Sequence, residues 1–327
     1  MLLAFLAAIR CVAGVDSGQD SSRKWSQART GDGGTTAARA GGLETHELTH
    51  QDQSRSYALY VPSSLVTGEA VPLVLVFHGG HGRGDRLARR IGMNDIARQQ
   101  GFIVAYPDAA GDRHWNDGRS TTRSGIDDIA FTLALIDDIG SLQQIDPTRV
   151  YATGFSNGGS FTARLACELS ENIAAFAQVG STMSVELRAA CAPGRAVPIM
   201  IINGTRDPLV PWQGGSLRKS RQLGKGGEVI SAADALEFWA GQNACSADPE
   251  VTRFEDRDPD DGTSVERTRF SDCRDHTEVS LVAVEGGGHT WPGSQERPRL
   301  KRTVGTTSRE INASELIWDF FRNHQLR

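Results

Sequence analysis

Apolar residues along this chain fall into two alternating patterns. The continuous run Pro72–Phe77 reads as a strand buried on both faces of a parallel sheet, and Phe102–Tyr106, Val150–Gly154, Ala174–Val179 and Val197–Ile202 read as further strands. Between them, residues 85 to 100 carry Leu87, Ile91, Met93, Ile96 and Ala97 at helical spacing, stopped by Gly101. Residues 125 to 144 form a second amphipathic helix, and a third begins after Ser156 and runs through Phe161, Leu165 and Leu169. Residues 231 to 241 and 308 to 324 supply two more helices, and Val265–Phe270 and Val279–Val284 two more strands. Residues 145 to 149 are read as the turn into the strand at 150. The alternation predicts an α/β protein with a mostly parallel central sheet flanked by helices.

Composition adds a boundary at the N-terminal side. Residues 15 to 43 are rich in Ser, Gly, Asp, Thr and Arg without apolar periodicity, and read as a flexible linker. Residues 1 to 14 resemble a secretory signal peptide: Met1–Ile9 is apolar but too short to span a bilayer, and Val12-Ala13-Gly14 offers a small-residue cleavage site. No Lys or Arg precedes the run, and Arg10 interrupts it. Export to a secreted or periplasmic location is the expectation, with residues 44 to 327 as a single catalytic domain. Four cysteines besides Cys11 allow three pairings; the sequence-local one, Cys167–Cys191 with Cys245–Cys273, closes two loops of similar length. The alternative is four buried thiols. A net charge of −5 argues against nucleic acid or an anionic membrane surface as partner. No obligate protein partner and no cofactor is expected.

Two metal-like motifs fail on their surroundings. His46-Glu47-Leu48-Thr49-His50 spells H-E-x-x-H, which binds zinc only on a helix. Here it sits in an alternating stretch leading to Tyr57–Val61, read as a β-hairpin, which would put the histidines ~13 Å apart. Asp256 to Gly262 approaches a calcium loop, but its glycine is one place late and Arg267 stands where the bidentate Glu belongs. No metal is expected.

The chemistry gathers at strand ends. Gly154-Phe155-Ser156-Asn157-Gly158 matches G-x-S-x-G, the strained strand-to-helix turn that presents a nucleophilic serine. Asp207 and His289 follow later strands, in the order Ser, Asp, His. A serine hydroxyl needs an imidazole to take its proton, and the imidazole needs a carboxylate to hold its tautomer and stabilise its charge. Ser156 could instead be a turn serine, Asp207 a turn cap and His289 a loop histidine. Asp127 and Asp128 are rival acids, but lie upstream at a helix start, where they favour the helix dipole. His276 and His324 are the rival bases. The N–H of Asn157 and that of Gly80, in His78-Gly79-Gly80-His81, are candidates for an oxyanion hole; a structural glycine turn is the alternative. The backbone of Asn157 is expected to matter more than its side chain. Trp115, Trp212, Trp291 and His81 are candidates for lining the substrate cleft, with core packing as the alternative for the tryptophans.

Together, HGG at 78–80, WNDGR at 115–119, DD at 127–128, GFSNGG at 154–159, GTRDPLVP at 204–211 and GGGHTWPG at 286–293 resemble the polyhydroxybutyrate-depolymerase-like esterases. These α/β-hydrolases include feruloyl and acetylxylan esterases. The resemblance spans about residues 45 to 325. It implies a serine esterase with Ser156 as nucleophile, Asp207 as acid and His289 as base. The substrate would be a small-molecule or polysaccharide-linked ester. An extracellular polyester depolymerase is the alternative, although such enzymes commonly add a polymer-binding domain not seen here and often have Cys at the position of Gly80. A peptidase and a non-catalytic binding protein on the same fold are further alternatives.

Overall fold

The computed structural model describes residues 41–65, 68–122, 125–217, 226–246, 248–295 and 299–327. The signal-peptide and most of the linker expectations therefore fall outside the described residues. All described residues belong to one compact unit.

The chain opens with a hairpin of β1 (Leu43–His50) and β2 (Gln53–Tyr60), then β3 (Val71–Phe77). Two short helices follow, α1 (Gly84–Ala88) and α2 (Met93–Gln100), then β4 (Ile103–Pro107) and α3 (Asp128–Leu142). Next come β5 (Ile145–Phe155), α4 (Asn157–Glu168), β6 (Ala175–Val179), α5 (Val185–Ala190) and β7 (Ile199–Gly204). A small hairpin, β8 (Gly215–Leu217) and β9 (Gly227–Val229), leads to α6 (Ala232–Gln242). The last elements are β10 (Glu250–Arg253), β11 (Ser264–Phe270), β12 (Val279–Glu285), α7 (Lys301–Val304) and α8 (Ala313–Phe321).

One ten-stranded sheet runs in the order β1-β2-β4-β3-β5-β6-β7-β12-β11-β10. Its centre, β4-β3-β5-β6-β7-β12, is parallel, and an antiparallel pair extends each end. Period-two alternation explains the continuous apolar runs: on β3, Leu73, Leu75 and Phe77 enter one core cluster while Val74 and Val76 enter the other. The first cluster takes in the apolar faces of α3, α4 and α6, and the second those of α2 and α8.

Several boundaries differ from the sequence reading. Residues 85 to 100 form two helices, because Gly92 adopts a left-handed φ of 73° and breaks the path. The helix expected over 125–144 starts at Asp128, after the Asp127 side chain has accepted the Ala130 N–H. Residues 145 to 149 already belong to β5, past a register shift near Val71. The terminal helix covers only Ala313–Phe321, capped by Asn312. H-E-x-x-H lies on β1, paired along its length with β2, so its histidines occupy strand and not helix positions. Disulfides join Cys167 to Cys191 and Cys245 to Cys273, across 24 and 28 residues. Loops of that size are worth about 3 kcal/mol each in closure entropy. Among the described residues no helix is long and apolar enough to cross a membrane.

Candidate active site

The site lies where β5 turns into α4. Ser156 sits at φ 56°, ψ −121°, a conformation that costs a non-glycine residue about 1–3 kcal/mol and is held here by its surroundings. The flanking glycines are sterically required. A Cβ on Gly154 would lie 2.3 Å from the Gly158 carbonyl oxygen, and one on Gly158 2.3 Å from that of Phe77.

Ser156 Oγ is 2.9 Å from His289 Nε2, and His289 Nδ1 is 2.7 Å from Asp207 Oδ2. Ser156 and His289 are buried, 3% and 5% exposed, and the side chain of Asp207 is 2% exposed. The other carboxylate oxygen of Asp207 accepts the N–H groups of Leu209, at 2.7 Å, and Val210, at 2.8 Å. These bonds fix the rotation of the carboxylate. His289 is carried on the loop after β12, where the Gly288 and His289 N–H groups donate to Thr306 and Val304. The ring of Phe155 packs 4.9 Å from that of His289. An Nδ1–H imidazole between carboxylate and hydroxyl leaves Nε2 as an acceptor for the serine proton.

The glycine loop after β3 is shaped by His78. Its Nε2 accepts the Ala109 N–H at 3.0 Å, which leaves the proton on Nδ1 to donate to the Gly79 carbonyl at 2.7 Å. Burial drives the pKa of His78 down to about 4. The Gly82 N–H also donates to Gly79, and the His81 N–H donates to Arg113. Among the described residues, the N–H groups of Gly80 and Asn157 have no acceptor in the chain. A buried neutral imidazole whose pKa lies below that of the unfolded chain has no effect on stability above about pH 6.5. Stability then falls as the pH drops from 6.5 to 4, because only the unfolded chain takes up the proton. The urea midpoint should follow this, with a shallower fall in His78→Asn; an equal slope in both proteins would contradict the neutral, buried assignment.

The loop at 115–119 is a buried polar knot. Asn157 Oδ1 accepts the Trp115 N–H, and its Nδ2 donates to the Trp115 carbonyl and to Asp117 Oδ2. Asp117 also receives the Arg119 guanidinium and the Thr122 hydroxyl. The side chain of Asn157 thus anchors the loop, a role beyond the one expected of its backbone. Asp128 is not merely a dipole-facing acid. It is buried, pairs with Arg55 at 2.8 Å and accepts the Asn116 N–H at 2.7 Å. Burial raises its pKa, an effect opposed by Arg55.

A cleft of about 310 Å³ opens over Ser156 and His289. It is lined by Gly80, His81 and Trp291, among others. Trp291 is held by a bond from Nε1 to Ser314 Oγ at 3.1 Å. Two expected lining residues are elsewhere. Trp115 is fully buried, stacks on Phe161 and donates to the His78 carbonyl, so it supports the glycine loop from beneath. Trp212 packs against the core. Phe155 and Leu209 line the cleft and were not singled out from the sequence. Phe155 could have been, because it directly precedes the serine. The rival bases are remote: His276 lies in the β11–β12 turn, and the His324 carbonyl accepts the Tyr151 hydroxyl.

This sheet, with a serine at its central strand-to-helix turn and an imidazole and a carboxylate from later strand ends, defines an α/β-hydrolase. Residues 55–214 match the family model described as Esterase PHB depolymerase. The protein named "Putative esterase NocK" from Nocardia uniformis subsp. tsuyamanensis is 31% identical over 84% of this chain and 81% of its own length. Feruloyl esterase B of Piromyces equi is 30% identical over 72% of this chain, which spans only 42% of that enzyme. The solved acetyl xylan esterase from Aspergillus awamori superposes with a TM-score of 0.57 at 15% identity, over 85% of this chain and 99% of that one, a likeness of fold. The chain belongs to the esterase PHB depolymerase family and is a carboxylic ester hydrolase of the serine-dependent class.

Proposed function

We propose that this enzyme hydrolyses small carboxylic esters, of the feruloyl or acetylxylan type or of short-chain hydroxyacids, through an acyl-enzyme. The observation that carries the reading is the unbroken relay from Ser156 through His289 to Asp207. Ser156 attacks the ester carbonyl while His289 Nε2 takes its proton, and Asp207 stabilises the imidazolium. The N–H groups of Asn157 and Gly80 receive the oxyanion. His289 returns the proton to the departing alcohol, then activates a water that releases the acid and regenerates Ser156. A cleft of about 310 Å³ is at the small end of ligand sites, which favours a small ester over a polymer chain. Two disulfides suit an oxidising compartment, and we assign the enzyme a secreted or periplasmic location.

The test is a panel of methyl ferulate, acetylated xylan, short p-nitrophenyl esters and polyhydroxybutyrate film. Soluble esters should be turned over and the film left intact. Film clearance faster than soluble turnover would replace this reading by that of a polyester depolymerase, which the family model also supports.

A further inference from the structure

Basic side chains gather at the cleft in a protein that is acidic as a whole. Arg83, Arg86 and Arg90 line it from the segment around α1, and Lys301 lines it from α7. No Asp or Glu is among the described residues that line it. The surroundings reinforce this. Residues 83 to 90 hold four arginines and one aspartate, and residues 299 to 302 hold Arg299, Lys301 and Arg302 without an acid. That aspartate, Asp85, is engaged by both Arg83 and Arg89. Arg83 also approaches Asp108, at 4.0 Å. Across the chain acids outnumber Lys and Arg by 40 to 35, so the distribution at the cleft opposes the overall charge. Like charges around a concave mouth repel one another, and between low-dielectric walls their field is focused on whatever enters. Leu87, Ile91, Leu300 and Val304 supply such walls.

We propose that the preferred substrate is an ester that also carries a free carboxylate, such as a half-ester of a diacid. The proposal rests on the esterase reading above and specifies its substrate class. Arginine forks and a lysine ammonium match a carboxylate directly, and the field steers an anion toward Ser156. Neutral esters gain neither advantage.

The test compares kcat/KM for mono-4-nitrophenyl adipate and 4-nitrophenyl hexanoate, acyl chains of similar length with and without the terminal charge. The native enzyme should favour the anionic ester by about tenfold or more, a preference that shrinks as salt is raised. Arg86 and Lys301 are exposed, so the double variant Arg86→Glu/Lys301→Glu tests the charge without disturbing the core. Its ratio of anionic to neutral turnover should fall by at least about tenfold. The distant reversal Arg253→Glu, on β10, should leave that ratio in place. Hydrolysis of the neutral ester with no anionic preference, or a ratio equal in the native and doubly reversed enzymes, overturns the proposal and leaves the esterase reading standing. Hydrolysis of neither ester overturns the proposal, and the esterase reading falls with it only if methyl ferulate, acetylated xylan and short p-nitrophenyl esters are also left intact.

Discussion

Ser156→Ala is expected to lower kcat on a soluble ester by about 10⁴- to 10⁶-fold while the protein stays folded. The hydroxyl is the only atom lost. The strained φ and ψ of residue 156 follow from the contact of Gly154 with Gly158 and of Gly158 with Phe77, and none of these depends on Oγ. The Ser156 N–H donates to Val179, and its carbonyl accepts from Ser160, so the elbow keeps its backbone bonds in the variant. Turnover measured beside a thermal melt checks both halves. Residual rate within a few-fold of the native enzyme would remove Ser156 from the chemistry.

Asp207→Asn should cost about 10⁴-fold in kcat with little effect on KM. The structure supplies the reason. Leu209 and Val210 direct two N–H groups at the outer carboxylate oxygen, and only an oxygen can accept them. An asparagine must therefore keep its carbonyl there and turn its NH₂ group toward His289 Nδ1. The imidazole is then driven to the Nε2–H tautomer, which cannot take the serine proton. A steady-state comparison of the two proteins tests this, and a loss below about tenfold would mean that Asp207 does not set the tautomer.

The layered sheet and the elbow were legible because each is dictated locally. A strand buried on both faces must be apolar at every position, as Leu73–Phe77 is. A serine at a positive φ needs small neighbours, and Gly154 and Gly158 stand there. The order of Asp207 and His289 could be read because each follows a clear strand. The fate of the tryptophans could not, since Trp115 and Trp291 both sit on polar loops and only three-dimensional contacts separate them. Trp115 lies beneath the glycine loop, while Trp291 lines the cleft with its Nε1 held by Ser314, 23 residues on. The Asn157 side chain bonds to residues about 40 positions away, a link that no local pattern encodes. Asp128 read as an acid at a helix start, because its partner Arg55 is 73 residues distant. Gly92 was masked by helical spacing that continues on both sides of it.

The proposed chemistry rests on Ser156 as the nucleophile activated by His289. Labelling of the native enzyme with a fluorophosphonate, followed by peptide mass spectrometry, tests it directly. One adduct per chain is expected, on Ser156, with labelling slowed by orders of magnitude in His289→Ala. An adduct on a different residue, or ester turnover that survives complete modification of Ser156, would contradict it.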